Sequence, residues 1–280
     1  MGVNATVADD WAGHRGRRWL RDVDVMEEQL APVGEALLQR AAPAPGERVL
    51  DVGCGAGWTT RRIAEAVGPD GLALGLDISE PLLGEASRRG AGLPQLRFQL
   101  GDAGQVQPEG GPFDRLMSRF GVMFFGDPPA AFRHLASLLK PEGQLNLAVW
   151  AEPARNPWMT EMRRIVGRHV ELPTVDPLAP GPFQLAGPAF HGQLLEQAGF
   201  VGLERELLEL PMWIGGRGAS PATAAAFALG AFSVGELAEA AGPVVHQAVI
   251  AELEQLYAGL ATSEGVAMPA AVWMLSARRG

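Results

Sequence analysis

The tract VLDVGCGAGWTT, residues 49–60, carries the densest chemistry in the chain. An apolar run enters a turn containing Gly53, Gly55 and Gly57 and leaves into a helical pattern. Glycine lets a backbone take left-handed dihedrals and approach a ligand closely, and the amides of a helix start attract polar or anionic groups. Asp77 ends the next apolar run, LALGLD. A carboxylate in that position can accept both hydroxyls of a ribose. Loop and acid together predict a nucleoside-cofactor site at the carboxyl ends of a parallel sheet.

Two cofactor classes use such a site. A dinucleotide fingerprint asks for a small residue at the sixth position counted from Gly53, where this chain has Trp58; its bulk opposes close helix packing and disfavours an NAD-dependent reductase. The spacing is instead G-x-G-x-G, with Asp51 just ahead of the first glycine. This resembles motif I of the class I S-adenosylmethionine-dependent methyltransferases. The resemblance continues through Asp77, GDA at 101–103 and FDRLMSRFGVMFFGDP at 113–128, and so covers residues 45–150.

The resemblance implies an α/β fold: a doubly wound, seven-stranded Rossmann-like methyltransferase sheet, its last strand antiparallel, with helical lid and cap insertions. It implies S-adenosylmethionine as cofactor and S-adenosylhomocysteine as product. Gly53, Gly55 and Gly57 would follow the methionine end, Asp77 the ribose diol with Ile78 beside it, and Asp102 the adenine amino group. Ala103 would offer its amide to a ring nitrogen, and Ser118 and Arg119 would line the face beside the sulfonium. Asp51 reads as an acid that holds the loop more than as a direct ligand. The flanks, NPW at 156–158 and GPFQLAG at 181–187 among them, are similar to a small-molecule branch related to ubiquinone and menaquinone biosynthesis methyltransferases. They name no acceptor.

Outside this series the chemistry thins. The five histidines have no metal-ligand spacing, so no metal site is expected. His14 and His169 fall in the expected lids, where a base could reach a substrate, and are the candidates for catalysis. Cys54 suits the turn as a small residue. DPPA at 127–130 superficially matches a base-stacking motif but reads better as Asp127 capping a helix with Pro128 in its first turn. The run His14, Arg15, Arg17, Arg18 and Arg21 is balanced by Asp22, Asp24, Glu27 and Glu28 and reads as a solvated helix face. Trp19, Phe120, Met123, Trp150 and Trp158 are the expected walls of an apolar acceptor pocket.

The elements that must position these residues follow from periodicity. Strands at 48–53, 72–77, 96–100, 113–118 and 144–150 alternate with helices at 59–67, 81–89 and 128–140, the pattern of a parallel sheet covered on both faces. Val23, Met26, Leu30, Val33 and Leu37 mark one helical face, which Pro32 is expected to divide into two helices. Residues 1–42 read as an N-terminal helical lid, and 43–280 as the cofactor-binding domain with cap insertions at about 151–186 and 211–241. A helix at 188–198, a strand at 201–210, helical residues 217–241, a long amphipathic helix around 245–260 and a strand at 268–277 complete the pattern.

A charge of −9 opposes a phosphate-neutralising nucleic-acid binder, and a lone cysteine suits a reducing compartment. The expected setting is the cytoplasm, without membrane insertion, and the expected activity is methyl transfer to a small apolar or aromatic metabolite. A regulatory or structural module that binds the cofactor without transferring methyl is the alternative.

Overall fold

The computed structural model describes residues 10–174 and 176–280; residues 1–9 of the expected lid and Val175 of the first insert lie outside them. Five strands, β1 (Arg48–Val52), β2 (Leu72–Asp77), β3 (Leu96–Leu100), β4 (Phe113–Arg119) and β5 (Leu139–Trp150), run parallel. β6 (Phe200–Trp213) and β8 (Gly265–Arg279) complete the order β3-β2-β1-β4-β5-β8-β6, and the two-residue β7 (Ala261–Thr262) pairs only with β8. β8 lies antiparallel to both β5 and β6. This is the α/β architecture read from the sequence.

β2 is buried at every position and β1 at all but its first, which is why their sequences are apolar runs without alternation. Helices cover both faces: α3 (Trp58–Val67), α4 (Glu80–Arg89), α5 (Pro128–Leu138) and α7 (Pro188–Gln197) among the crossovers. Asp127 caps α5, its Oδ1 accepting the Ala130 amide at 2.9 Å, with Pro128 in the first turn. Between the expected helix at 128–140 and strand at 144–150, β5 carries a register shift, where Glu142 takes φ 61° and pairing resumes at Gln144.

Before β1 come α1 (His14–Arg21) and α2 (Val23–Ala41). The break falls at Asp22 and not at Pro32, which sits inside a continuous α2. Pro32 is exposed, so its ring meets solvent, while Val33 and Leu37 beside it are fully buried against the sheet. Burying side chains of that size contributes about 1.5–3 kcal/mol each, enough to hold the helix together across one missing amide. α2, within the 1–42 segment read as a lid, therefore packs into the core.

The expected helical stretch at 217–241 is two helices, α8 (Pro221–Ala231) and α9 (Ser233–Ala240), bent by 93° at Phe232. With α6 (Pro157–Val166) they stand over the carboxyl ends of the strands, and α10 (Pro243–Ala258) backs α8. Among the described residues no single helix is long and apolar enough to cross a membrane.

Candidate functional site

Strand order reverses between β1 and β4, the crevice where open α/β sheets bind ligands. The two strand ends nearly touch there. A Cβ on Gly53 (φ 66°) would stand 2.6 Å from Gly121 Cα, so neither glycine admits a side chain. Gly55, at φ 54°, has nothing within 4 Å of where a Cβ would be and lines a cavity of about 510 Å³. Gly57 does not reach that cavity: its missing side chain makes room for Phe98, whose ring would lie 2.8 Å from a Cβ. Its role is packing and turn geometry.

Asp77, at the end of β2, lines the same cavity. One carboxylate oxygen accepts the Gly55 amide at 2.8 Å and the other the Ser79 amide at 2.9 Å. A carboxylate has about four acceptor sites, so capacity remains for hydroxyls. Burial pushes its pKa up, and the amides partly offset that. Ile78, Asp102 and Ala103 also line the cavity; Asp102 accepts the Gly104 amide and the Gln105 side chain at 2.8 and 2.7 Å.

Asp51 is almost wholly buried at the cavity wall. Its Oδ2 accepts the Thr60 hydroxyl at 2.7 Å, Oδ1 has no partner among the described residues, and burial pushes its pKa up to about 7. Opposite charge comes from Arg119 at the end of β4, which donates to Glu27 of α2 at 2.6 Å and lies 5.1 Å from the Trp58 ring. Among the described residues one Arg119 terminal nitrogen is buried without an acceptor. Trp58 thus replaces the close glycine contact of a dinucleotide fold with a platform for a cation. Ser118 is a correction: it is fully buried, its hydroxyl donating to the Val52 carbonyl at 2.8 Å and accepting from the Gly121 amide at 3.2 Å, and so it ties β4 to β1 without reaching the cavity.

The far end of the cavity is aromatic. Phe120 stacks on Trp150 at 4.2 Å, Trp150 meets Trp158 at 5.0 Å, and Trp158 meets Phe232 at the α8–α9 bend at 5.4 Å. Asn156, fully buried, fixes Trp158 by accepting its indole N–H at 3.1 Å. Phe120 takes φ 66°, an unfavourable conformation for a non-glycine residue, with its amide held by Ala148 O at 2.9 Å. Met123 and Trp19 line the cavity too, so all five expected pocket residues meet there.

The two histidines do not. His14 lies on the outer side of α1, 3.2 Å from Glu236, and His169 pairs with Glu252 at 2.7 Å; neither lines the cavity. The basic run also divides. Arg18 and Glu27, expected in solvent, are nearly buried, Arg18 pairing with Glu236 of α9 and Glu27 with Arg119. Their partners lie far along the chain, out of reach of local charge counting. Trp11 completes the cover, its carbonyl accepting from Ser79 at 2.8 Å and its ring 5.5 Å from Phe124. Gly121, Arg163, Gln184 and Phe232 also line the cavity without having been singled out by their sequence context. Cys54 is buried and its thiol is pushed well up by desolvation, which suits a packing residue and not a nucleophile.

Residues 49–143 match a family model described as a methyltransferase domain. The chain is 39% identical to a nocamycin O-methyltransferase from Saccharothrix syringae over 124 residues, 43% of this chain and 44% of that one. It is 32% identical to an aklanonic acid methyltransferase from Streptomyces sp. (strain C5), over 42% of this chain and 54% of that one. The chain spans about half the length of these curated relatives. The crystal structure of a putative methyltransferase from Bacillus halodurans C-125 shares the fold, with a TM-score of 0.56 at 19% identity over 88% of this chain and 98% of that one.

Proposed function

We propose that this chain is an S-adenosylmethionine-dependent methyltransferase acting on a small apolar or aromatic metabolite. The observation that carries the reading is the buried acid Asp77 joined to the left-handed glycine loop at the reversal of strand order, on one cavity with a wall of aromatic rings. The methyltransferase-domain match over 49–143 supports it.

The residues fit the cofactor. Gly55 leaves open space where any other residue would project, and the wall gathers six carboxyl groups, those of Glu27, Asp51, Asp77, Asp102, Asp176 and Glu236, against four guanidiniums. That surplus of negative charge complements a ligand bearing a sulfonium and an ammonium. When bound, S-adenosylmethionine supplies a methyl group already activated as an electrophile. In this reading Asp77 accepts the ribose hydroxyls, Asp102 and Ala103 hold the adenine, and Gly53 and Gly55 pass the methionine end. The ring wall orients the acceptor, and Trp11 together with Arg18 and Trp19 of α1 covers the cavity, excluding water.

The proposed organisation is a cover made by Trp11 and α1, a cofactor domain built on the sheet, and caps at about 151–186 and 211–241. The likeness to ubiquinone and menaquinone methyltransferases bears on the acceptor only through its apolar character. The cytoplasm is the proposed setting, with neither nucleic acid nor membrane as partner, on the strength of the charge of −9 and the lone cysteine.

Calorimetry is expected to detect binding of S-adenosylmethionine and S-adenosylhomocysteine but not of NAD. Asp77→Ala should weaken both by about tenfold or more, since bonds to a charged acceptor contribute about 1.5–3 kcal/mol each. NAD binding without S-adenosylmethionine binding would sink the assignment. Transfer of a tritiated methyl group into a small-molecule extract separates an enzyme from a silent binder.

A further inference from the structure

The four arginines on the cavity wall differ in what meets their charge. Arg15 is 3.4 Å from Asp10, Arg18 pairs with Glu236, and Arg119 pairs with Glu27 at 2.6 Å. Arg163 alone has no carboxylate within ion-pair distance among the described residues; its one hydrogen bond runs from Nη2 to the Pro173 carbonyl at 2.6 Å. It is half-buried on α6, the first helix of the cap. Met159, Met162 and Arg163 are three and four residues apart on that helix and all line the cavity, so one face of α6 presents two thioethers and a cation together. Trp158, in the same helix, carries the ring wall toward Trp150 and Phe120.

A guanidinium held by one carbonyl keeps most of its five donors for a ligand, in a planar fork that suits a carboxylate or an ionised enol. Half-burial strengthens such a contact relative to one in open water. The neighbouring rings and methionines offer an apolar body area and dispersion but no hydrogen bonds. Because Arg163 sits on the cap and not on the strand ends, its charge is separate from the wall assigned to the cofactor.

We propose that the methyl acceptor is an organic anion: a flat apolar body lying against the rings of Phe120, Trp150 and Trp158, with an anionic oxygen group held by Arg163. This deepens, and rests on, the methyltransferase reading of the cavity.

The test uses the full chain saturated with S-adenosylhomocysteine and two fluorescent probes with the same ring body, 1-anilinonaphthalene-8-sulfonate and the uncharged N-phenyl-1-naphthylamine. Binding is read by energy transfer from tryptophan. Arg163→Gln should weaken the sulfonate probe by about tenfold and leave the neutral one within about twofold, as expected for loss of a charge-assisted contact. Arg163→Lys should retain part of the preference. Arg164→Gln, on the neighbouring exposed arginine that pairs with Glu161, should change neither. Equal affinity for the two probes in the unaltered chain, or an Arg164→Gln effect as large as that of Arg163→Gln, would overturn the proposal. Calorimetry with S-adenosylhomocysteine on each variant keeps the two readings apart: normal cofactor binding with no Arg163 effect refutes the anionic acceptor alone, and absent cofactor binding in the unaltered chain refutes the methyltransferase reading beneath it.

Discussion

Asp51 links the site to stability in a way that can be measured. Its carboxyl titrates near 7 in the fold, against 3.8 as its ordinary value, because burial disfavours the charge more than Thr60 and Arg119 favour it. Between those two values the folded chain holds a proton that the unfolded chain has released. The group's contribution to stability is therefore full below about pH 4 and declines as pH rises through 7. Asp51→Asn should raise the Tm of the ligand-free protein at pH 8, leave it little changed at pH 4, and flatten the profile between. A variant less stable at pH 8 would mean that the ionised carboxylate has partners which outweigh its desolvation. The cavity positions of Asp51, Gly53, Asp77 and Asp102 were legible because each stands at a fixed offset from an apolar strand. Glu27, Gly121 and Arg163 were not, since what matters about them is a neighbour remote in sequence, or the lack of one. Ser118 misled for a related reason: position at a strand end does not reveal that a hydroxyl has turned back to bond the neighbouring strand.

Among the helices, α1 has little fully buried surface. Gly16 is its one buried residue; Trp19 packs half-buried beside Trp11, and polar contacts add Arg18 and His14 to Glu236, and Arg21 to the Gly230 carbonyl at 3.1 Å. α2, by contrast, buries Val33 and Leu37 completely. Ordering a backbone costs about 1–2 kcal/mol per residue, so a helix with so little apolar burial should open readily until a ligand adds contacts beneath it. Trypsin is expected to cut between Arg15 and Arg21 faster in the free protein than with S-adenosylhomocysteine bound, and Glu236→Ala should raise the free-state rate further. Equal rates with and without ligand would make α1 a fixed wall. Periodicity revealed the amphipathic stripe of α2 but put its break at Pro32. An exposed proline in a helix whose other side is buried is overruled by packing that sequence does not display.

On the scale of the molecule, β8 holds two regions together. It pairs with β5 from Gln144 to Trp150 and with β6 along most of that strand's length, so the last strand of the chain lies inside the sheet. A chain ending at Thr262 would leave β6 without a hydrogen-bonded neighbour and is expected to lose its cooperative thermal transition; a truncated form that still binds S-adenosylhomocysteine would contradict this. The alternating strands and helices made the parallel half legible, and the strand at 268–277 was visible as an apolar run. The cap was harder to read, because the 93° bend at Phe232 follows from what α8 and α9 pack against and not from their alanine-rich composition. That separation has a consequence for descent. The glycine loop and acids lie in one unbroken stretch ending before β5, whereas much of the aromatic wall comes from segments that leave the sheet after Trp150 and after β6 and return to it. A gene lineage could exchange those segments at either junction and inherit a new clientele while the machinery below stayed in service, so kinship in one half need carry no kinship of taste in the other.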